Sequence, residues 1–163
     1  MRGQYRIFAD YHQFYLWDQR HGSNTLIDFT EEDCLRRVAV AAHVIAIQPD
    51  RNMTVPVEIR LLDRPSAEPF DAWDHVVEAS LAVPSGILEC HECTGGSIDR
   101  WRVTPGPYRV RACFGGLGTI DAFGIEGGDH YRVDVWPAPL APVVLLKDYG
   151  PRRVWIEAGD HPL

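Results

Sequence analysis

The sequence predicts an all-β protein, an antiparallel β-sandwich of about eight or nine short strands with one short helix near the N-terminus. Three observations lead there. Apolar and polar residues alternate with period two in segment after segment, as half-buried strands require. Turn-forming clusters separate these segments at the spacing of all-β domains, and 14 Gly with 12 Pro supply many tight connections. Only one stretch carries helical spacing. Alternating faces call for two antiparallel sheets on one core, with a closed barrel as second choice. A chain of 163 residues holds one such domain, 1–163, and shows no linker, repeat or low-complexity tract.

Residues 5–17 read as one extended segment. From Tyr11 onward, Tyr11, Gln13, Tyr15 and Trp17 share one face and His12, Phe14 and Leu16 the other. Both faces carry aromatic or apolar groups, which predicts a strand covered on both sides. A turn follows at 18–24. The helix opens at Thr30, an N-cap, with Asp33 closing a variant capping box and Glu31, Glu32 and Asp33 placing negative charge in the first turn. Leu35, Val38, Ala39 and Ala42 extend it to about three turns.

Strands then follow one another. Val44–Ile47 is a short apolar run. Segment 53–62 sets Val55, Val57, Ile59 and Leu61 on one face, and Pro56 predicts an edge or bulged position because it cannot donate to a ladder. His75–Val83 alternates and pairs with Ile87–Glu92 as a hairpin. Segment 107–114 is the cleanest amphipathic strand, and 130–136 repeats its pattern. Two more strands are expected at 143–146 and 154–157, after a proline-dense crossing at 136–142. The tail at 159–163 is expected to fray.

A formal charge of −7 repels phosphate backbones, so direct nucleic-acid binding is not predicted. No stretch approaches the roughly 18 apolar residues that span a bilayer. The opening residues alternate instead of forming an apolar leader, and four cysteines are too few for a disulfide scaffold. Reduced thiols and a cytoplasmic location are expected.

Catalytic and metal signatures are weak. Cys90 and Cys93 have the spacing of half a zinc site, but the second pair is missing and His91 between them points away from a shared metal. A redox pair would need a βαβ unit, so the thiols read as structural, and neither metal nor cofactor is predicted. The glycine-rich segment 115–128 mimics a dinucleotide fingerprint at Gly116 and Gly118, yet Asp121 stands where the third glycine belongs. Hydrolase motifs are missing. The pairs Asp74–His75 and Asp129–His130 are strand neighbours that point to opposite faces, so no catalytic residue is assigned.

The succession of segments does carry a resemblance. Asp10-Tyr11-His12-Gln13-Phe14, then Asp28-Phe29-Thr30-Glu31-Glu32, then Pro49-Asp50-Arg51-Asn52-Met53-Thr54 stand in order. The valine-rich strand at 75–83 follows, with Pro105-Gly106-Pro107-Tyr108-Arg109-Val110 and Asp129-His130-Tyr131-Arg132-Val133-Asp134 after it. Over about residues 10–135 this order resembles the competence protein J family. The resemblance implies a small non-enzymatic inhibitor that binds and silences a DNA-entry nuclease. The acidic charge agrees, since surfaces that grip phosphates are positive.

The expected contact surface is the loop 115–129, with Asp121, Glu126 and Asp129 facing a basic groove of the nuclease. Trp17 and Asp18 form a second candidate patch, against the alternative that Trp17 and Tyr15 belong to the core. A competing class is a β-sandwich that stacks a small molecule or glycan on its aromatic side chains, and a third is a structural or dimerising domain.

Overall fold

The computed structural model describes residues 1–24 and 27–152. Its described residues form eleven strands and one α-helix: β1 (Arg2–Phe8), β2 (Phe14–Asp18), α1 (Glu31–Arg36), β3 (Val38–Ala41), β4 (Val44–Ile47), β5 (Thr54–Leu61), β6 (His75–Val83), β7 (Ile87–Glu92), β8 (Ser97–Arg102), β9 (Gly106–Gly115), β10 (His130–Pro137) and β11 (Val144–Lys147). The expected strand at 154–157 and the tail at 159–163 lie outside the described residues.

The strands build a sandwich. One sheet runs β1-β5-β10-β9-β6-β11 and the other β3-β4-β2-β7-β8. All ladders are antiparallel except β5–β10, in which Tyr131 lies beside Val57. Phe14, Leu16, Ile45, Ile47 and Leu88 from the five-stranded sheet meet Val57, Ile59, Leu81, Phe114 and Val133 from the other, all fully or almost fully buried. Each such side chain contributes about 1.5–3 kcal/mol by leaving water, so the alternating apolar residues hold the layers together.

Several elements differ from expectation for identifiable reasons, and β6 and β7, expected to pair as a hairpin, instead lie in different sheets, beside β9 and β2. The segment 5–17 is two strands in different sheets. The break is a 3-10 turn at Asp10–His12, in which Tyr11 (φ 56°) and His12 (φ 57°) both adopt the left-handed conformation. Asp10 supports the turn by accepting the Tyr11 N–H on Oδ1 (3.1 Å) and the Thr94 hydroxyl on Oδ2 (2.7 Å). Phe14 and Leu16 do face inward, while Tyr15 and Trp17 lie on the outer side.

The capping box of α1 forms as expected: Thr30 Oγ1 accepts the Asp33 N–H (3.1 Å) and Asp33 Oδ2 accepts the Thr30 N–H (2.9 Å). The helix nevertheless stops after six residues at Arg37, which turns left-handed (φ 62°). Val38 and Ala39, assigned by spacing to the helix, pair with Ile47 and Ala46 in β3. β-Branched Val38 and Val40 suit a strand better than a helix.

Pro56 sits in an interior strand, between β1 and β10, and not at an edge. The ladder to β10 begins one residue later at Val57, so the missing N–H falls just outside it. β8 escaped the periodicity because its pairing with β7 slips between Cys90 and His91, where Asp99 faces Cys90 and Ser97 faces His91. The slip breaks the two-residue alternation, while Trp101 still packs into the core.

β9 alternates as expected, yet its polar face is also covered. Arg109 donates to Ser80 Oγ (2.9 Å) and the Ala141 and Pro142 carbonyls, and Arg111 binds Glu78 with its guanidinium 5.1 Å from the Phe70 ring centre and 5.2 Å from that of Trp136. Connecting segments thus lie over the outer face of the larger sheet, fastened by arginines.

Candidate functional site: the loop end of the sandwich

The strand registers bring one set of loops together. Phe8 lies beside Thr54, Tyr131 beside Phe114, and Phe114 beside His75 in the larger sheet. Phe14 lies beside Ile47 and Glu92, and Ile47 beside Val38, in the smaller one. All these positions mark one end of the sandwich. From it emerge the turn 9–13, the connections 48–53 and 93–96, the long loop 116–129, and the segment 148–152 that follows β11.

A buried charge network fixes this end. Arg37, 0% exposed, grips Asp50 with two hydrogen bonds, Nε to Oδ1 (2.7 Å) and Nη2 to Oδ2 (3.2 Å). Its Nη1 donates to the Gly150 carbonyl (3.1 Å) and reaches His75 Nδ1 (3.3 Å). The Tyr149 N–H also donates to His75 Nδ1 (3.3 Å), so that nitrogen is the acceptor and Nε2–H donates to the Arg36 carbonyl (2.9 Å). Burial first, and the nearby Arg37 charge, lower the pKa of this imidazole and keep it neutral. Arg152 closes the segment onto the network through Gln48 Oε1 (3.0 Å) and the Pro49 carbonyl (2.7 Å).

A second cluster adjoins the first. The Asp50 N–H donates to Tyr131 Oη (3.2 Å), the Tyr131 hydroxyl donates to Asp129 Oδ2 (2.5 Å), and Arg51 Nε donates to Asp129 Oδ1 (2.5 Å). Burial and the Asp129 charge push the Tyr131 phenol well above its ordinary pKa, so it stays a donor. Arg51 Nη1 then reaches the Ile125 carbonyl (2.8 Å), tying 48–53 to the long loop.

That loop is built and self-bonded. Leu117 and Ile120 bury at its base. Gly116 (φ 65°) starts it where a Cβ would lie 2.4 Å from the Gly128 carbonyl oxygen, so no larger residue fits. Thr119 Oγ1 accepts the Gly128 N–H (2.8 Å) and donates to the Gly116 carbonyl (2.6 Å). Asp121 Oδ1 accepts the N–H groups of Ile125 (2.9 Å) and Phe123 (3.2 Å), while its own N–H donates to the Glu126 carbonyl (2.8 Å). The Ile125 hydrogen bond leads the effects that hold the Asp121 carboxyl below its ordinary pKa. Outside this frame stand Phe123, 70% exposed, and Ile125, 48% exposed.

No protein-family model matches this sequence, and neither does any curated protein. Among solved structures, ComJ from Bacillus subtilis, an inhibitor of the DNA degrading activity of NucA, matches with a TM-score of 0.64 over 85% of this chain and 96% of that chain, at 18% identity. The fold is ComJ-like. A second match, the protein of crocagin biosynthetic gene J, has a TM-score of 0.54 and 15% identity over the same shares.

Within this ComJ-like frame the five expected contact residues are scattered. Asp129 is 1% exposed and closed off by Arg51 and Tyr131, so its carboxylate does not face outward. Asp18 is likewise buried, accepting the N–H groups of Arg20 (3.0 Å), His21 (3.1 Å) and Ser85 (2.8 Å). Trp17 is mostly covered, with Nε1 donating to Glu89 (2.8 Å). Both belong to the opposite end, where Asp18 pairs with Leu88. Glu126 is exposed and Asp121 half-buried. The two expected patches are therefore not one surface.

Sequence reasoning missed Tyr11, 70% exposed, and Met53 as surface groups at the loop end, and missed the Arg37–Asp50 and Arg51–Asp129 pairs. A signal was present, since Asp10–Tyr11, Asp50–Arg51 and Asp129 all lie in segments that carry the family resemblance. The thiols of Cys90 and Cys93 part ways: Cys90 joins the core, where burial raises its pKa far above the ordinary thiol value, and Cys93 receives a hydrogen bond from the Tyr15 hydroxyl (3.4 Å). On that outer face Tyr15 and Trp17 stack 5.4 Å apart beside a cavity of about 380 Å³ lined also by Phe29, His91 and Cys93.

No helix among the described residues is long and apolar enough to cross a membrane.

Proposed function

We propose that this protein binds and silences a DNA-degrading nuclease by direct contact, with no chemistry of its own. The observation that carries the reading is the match to ComJ, which spans 96% of that inhibitor's chain. Charge supports it: a protein of net charge −7 is attracted to the positive groove with which a nuclease holds DNA. Loops set on a rigid β-frame support it too, being the usual carriers of recognition. In this reading Glu126 and Asp121 face basic groups of the nuclease, and Asp129 holds the loop from behind. The protein works in the bacterial cytoplasm, where its thiols stay reduced, and serves a competence-like DNA uptake system.

The test is to titrate the protein into a DNA-degrading nuclease from the same cell. Cleavage is expected to stop near equimolar addition, and the complex to weaken above ~0.3 M salt as screening shortens to a few ångström. Undiminished cleavage at molar excess, with no complex at low salt, overturns the reading. A second reading rests on the cavity beside Tyr15 and Trp17, which offers a stacking surface to a neutral glycan or small molecule. It requires a thermal shift by such a ligand that does not change with salt.

A further inference from the structure

The buried charges and the exposed rings at the loop end are arranged in opposite senses. The cations turn inward: Arg37 and Arg51 are buried on Asp50 and Asp129. Two other carboxylates turn outward, with Glu126 exposed and the Asp148 side chain 61% exposed. Above this frame stand exposed large apolar or aromatic groups, among them Tyr11, Met53, Phe123 and Ile125.

They are not independent protrusions. The segment 49–53 joins them, since the Ala9 N–H donates to the Met53 carbonyl (3.1 Å), His12 Nδ1 bonds the Pro49 carbonyl (3.3 Å) and Arg51 donates to the Ile125 carbonyl. Tyr11 is presented by a left-handed turn of two non-glycine residues, a conformation that persists only where its surroundings hold it. Fixed aromatic and aliphatic anchors ringed by polar groups are the anatomy of a protein-binding face, because the anchors lose little freedom on docking.

We infer that this end of the sandwich is the contact face, that Phe123 and Ile125 are its central anchors with Tyr11 and Met53 beside them, and that its partner is a basic protein cleft containing an apolar recess. The inference rests on the nuclease reading and names the surface that reading uses. The outward carboxylates guide encounter with the positive cleft, and the anchors then set the lifetime of the complex. The patch around Trp17 and Asp18, at the far end, takes no part.

The experiment compares inhibition of the same nuclease by the wild-type protein, a Phe123→Ala/Ile125→Ala double variant, Phe123→Lys, Tyr11→Ala, and Leu140→Ala as an exposed control toward the other end. The double variant and Phe123→Lys are expected to raise the half-inhibitory concentration by about tenfold or more. Tyr11→Ala is expected to raise it less, and Leu140→Ala not at all. All should keep the wild-type thermal midpoint, since the altered side chains are exposed. If the wild type inhibits and the double variant and Phe123→Lys inhibit equally well, this face is overturned and the nuclease reading stands. If the wild type neither binds nor inhibits, both fall together.

Discussion

Arg37 shows how one side chain can define an end of a protein. It stops α1, starts β3, grips Asp50 and holds Gly150, all without contact with solvent. Removing one member of a buried ion pair costs about 3–5 kcal/mol, and Arg152, 3.6 Å from Asp50, offsets part of that here. Arg37→Ala is therefore expected to lower the unfolding free energy, measured by urea denaturation, by up to that much, and Arg37→Lys to recover only part, because an ammonium cannot reproduce the two-pronged grip. A loss below ~1 kcal/mol would contradict the role assigned to it.

His75 carries a pH dependence on the same network. Its folded pKa lies below 6.5, burial being the main cause, whereas the unfolded chain protonates near 6.5. Above that value both states are neutral and stability is flat. As pH falls below 6.5, the unfolded state takes up the proton first, so stability declines until the folded pKa is passed. His12 adds to the effect in the same direction, lowered by burial and by Arg152. Thermal midpoints between pH 7.5 and 5 are expected to fall, with a shallower slope in His75→Gln.

At the scale of elements, Gly116 tests the loop's construction. Its positive φ and the nearby Gly128 carbonyl leave no room for a methyl group, so Gly116→Ala is expected to cost about 1–3 kcal/mol and to loosen 116–129. Faster hydrogen exchange at the Gly128 and Ile125 amides, with β6 unaffected, is the expected signature. The strands at 75–83, 107–114 and 130–136 were readable because both ladders on β9 keep an unbroken register and preserve the alternation. The capping box was readable because it is local, involving residues three apart. What escaped was set by distant partners or broken pairing: the turn at Tyr11–His12, the switch from α1 to β3, and β8 beyond its slip.

At the scale of the whole molecule, the same distinction explains why the site was harder to read than the fold. Asp129 and Asp18 look like surface carboxylates in sequence, each in a polar turn or loop. They are buried because Arg51 and Ser85, far away along the chain, close over them. Glu126, by contrast, stays exposed. Charge acts at this scale as well. Association with a basic partner is expected to slow with added salt mainly in its on-rate, while dissociation from the anchors changes little. Stopped-flow mixing at two ionic strengths separates the two.

The parallel pairing of β5 with β10 has a consequence for biogenesis. β5 needs β1 on one side and, through Val57 and Tyr131, a strand from the last third of the chain on the other. Among the described residues the smaller sheet draws on none beyond Arg102, and its five strands leave the ribosome before β10 does. The nascent chain must therefore carry β5 with one flank open until β10 has emerged, an interval in which a chaperone that shields strand edges has most to protect.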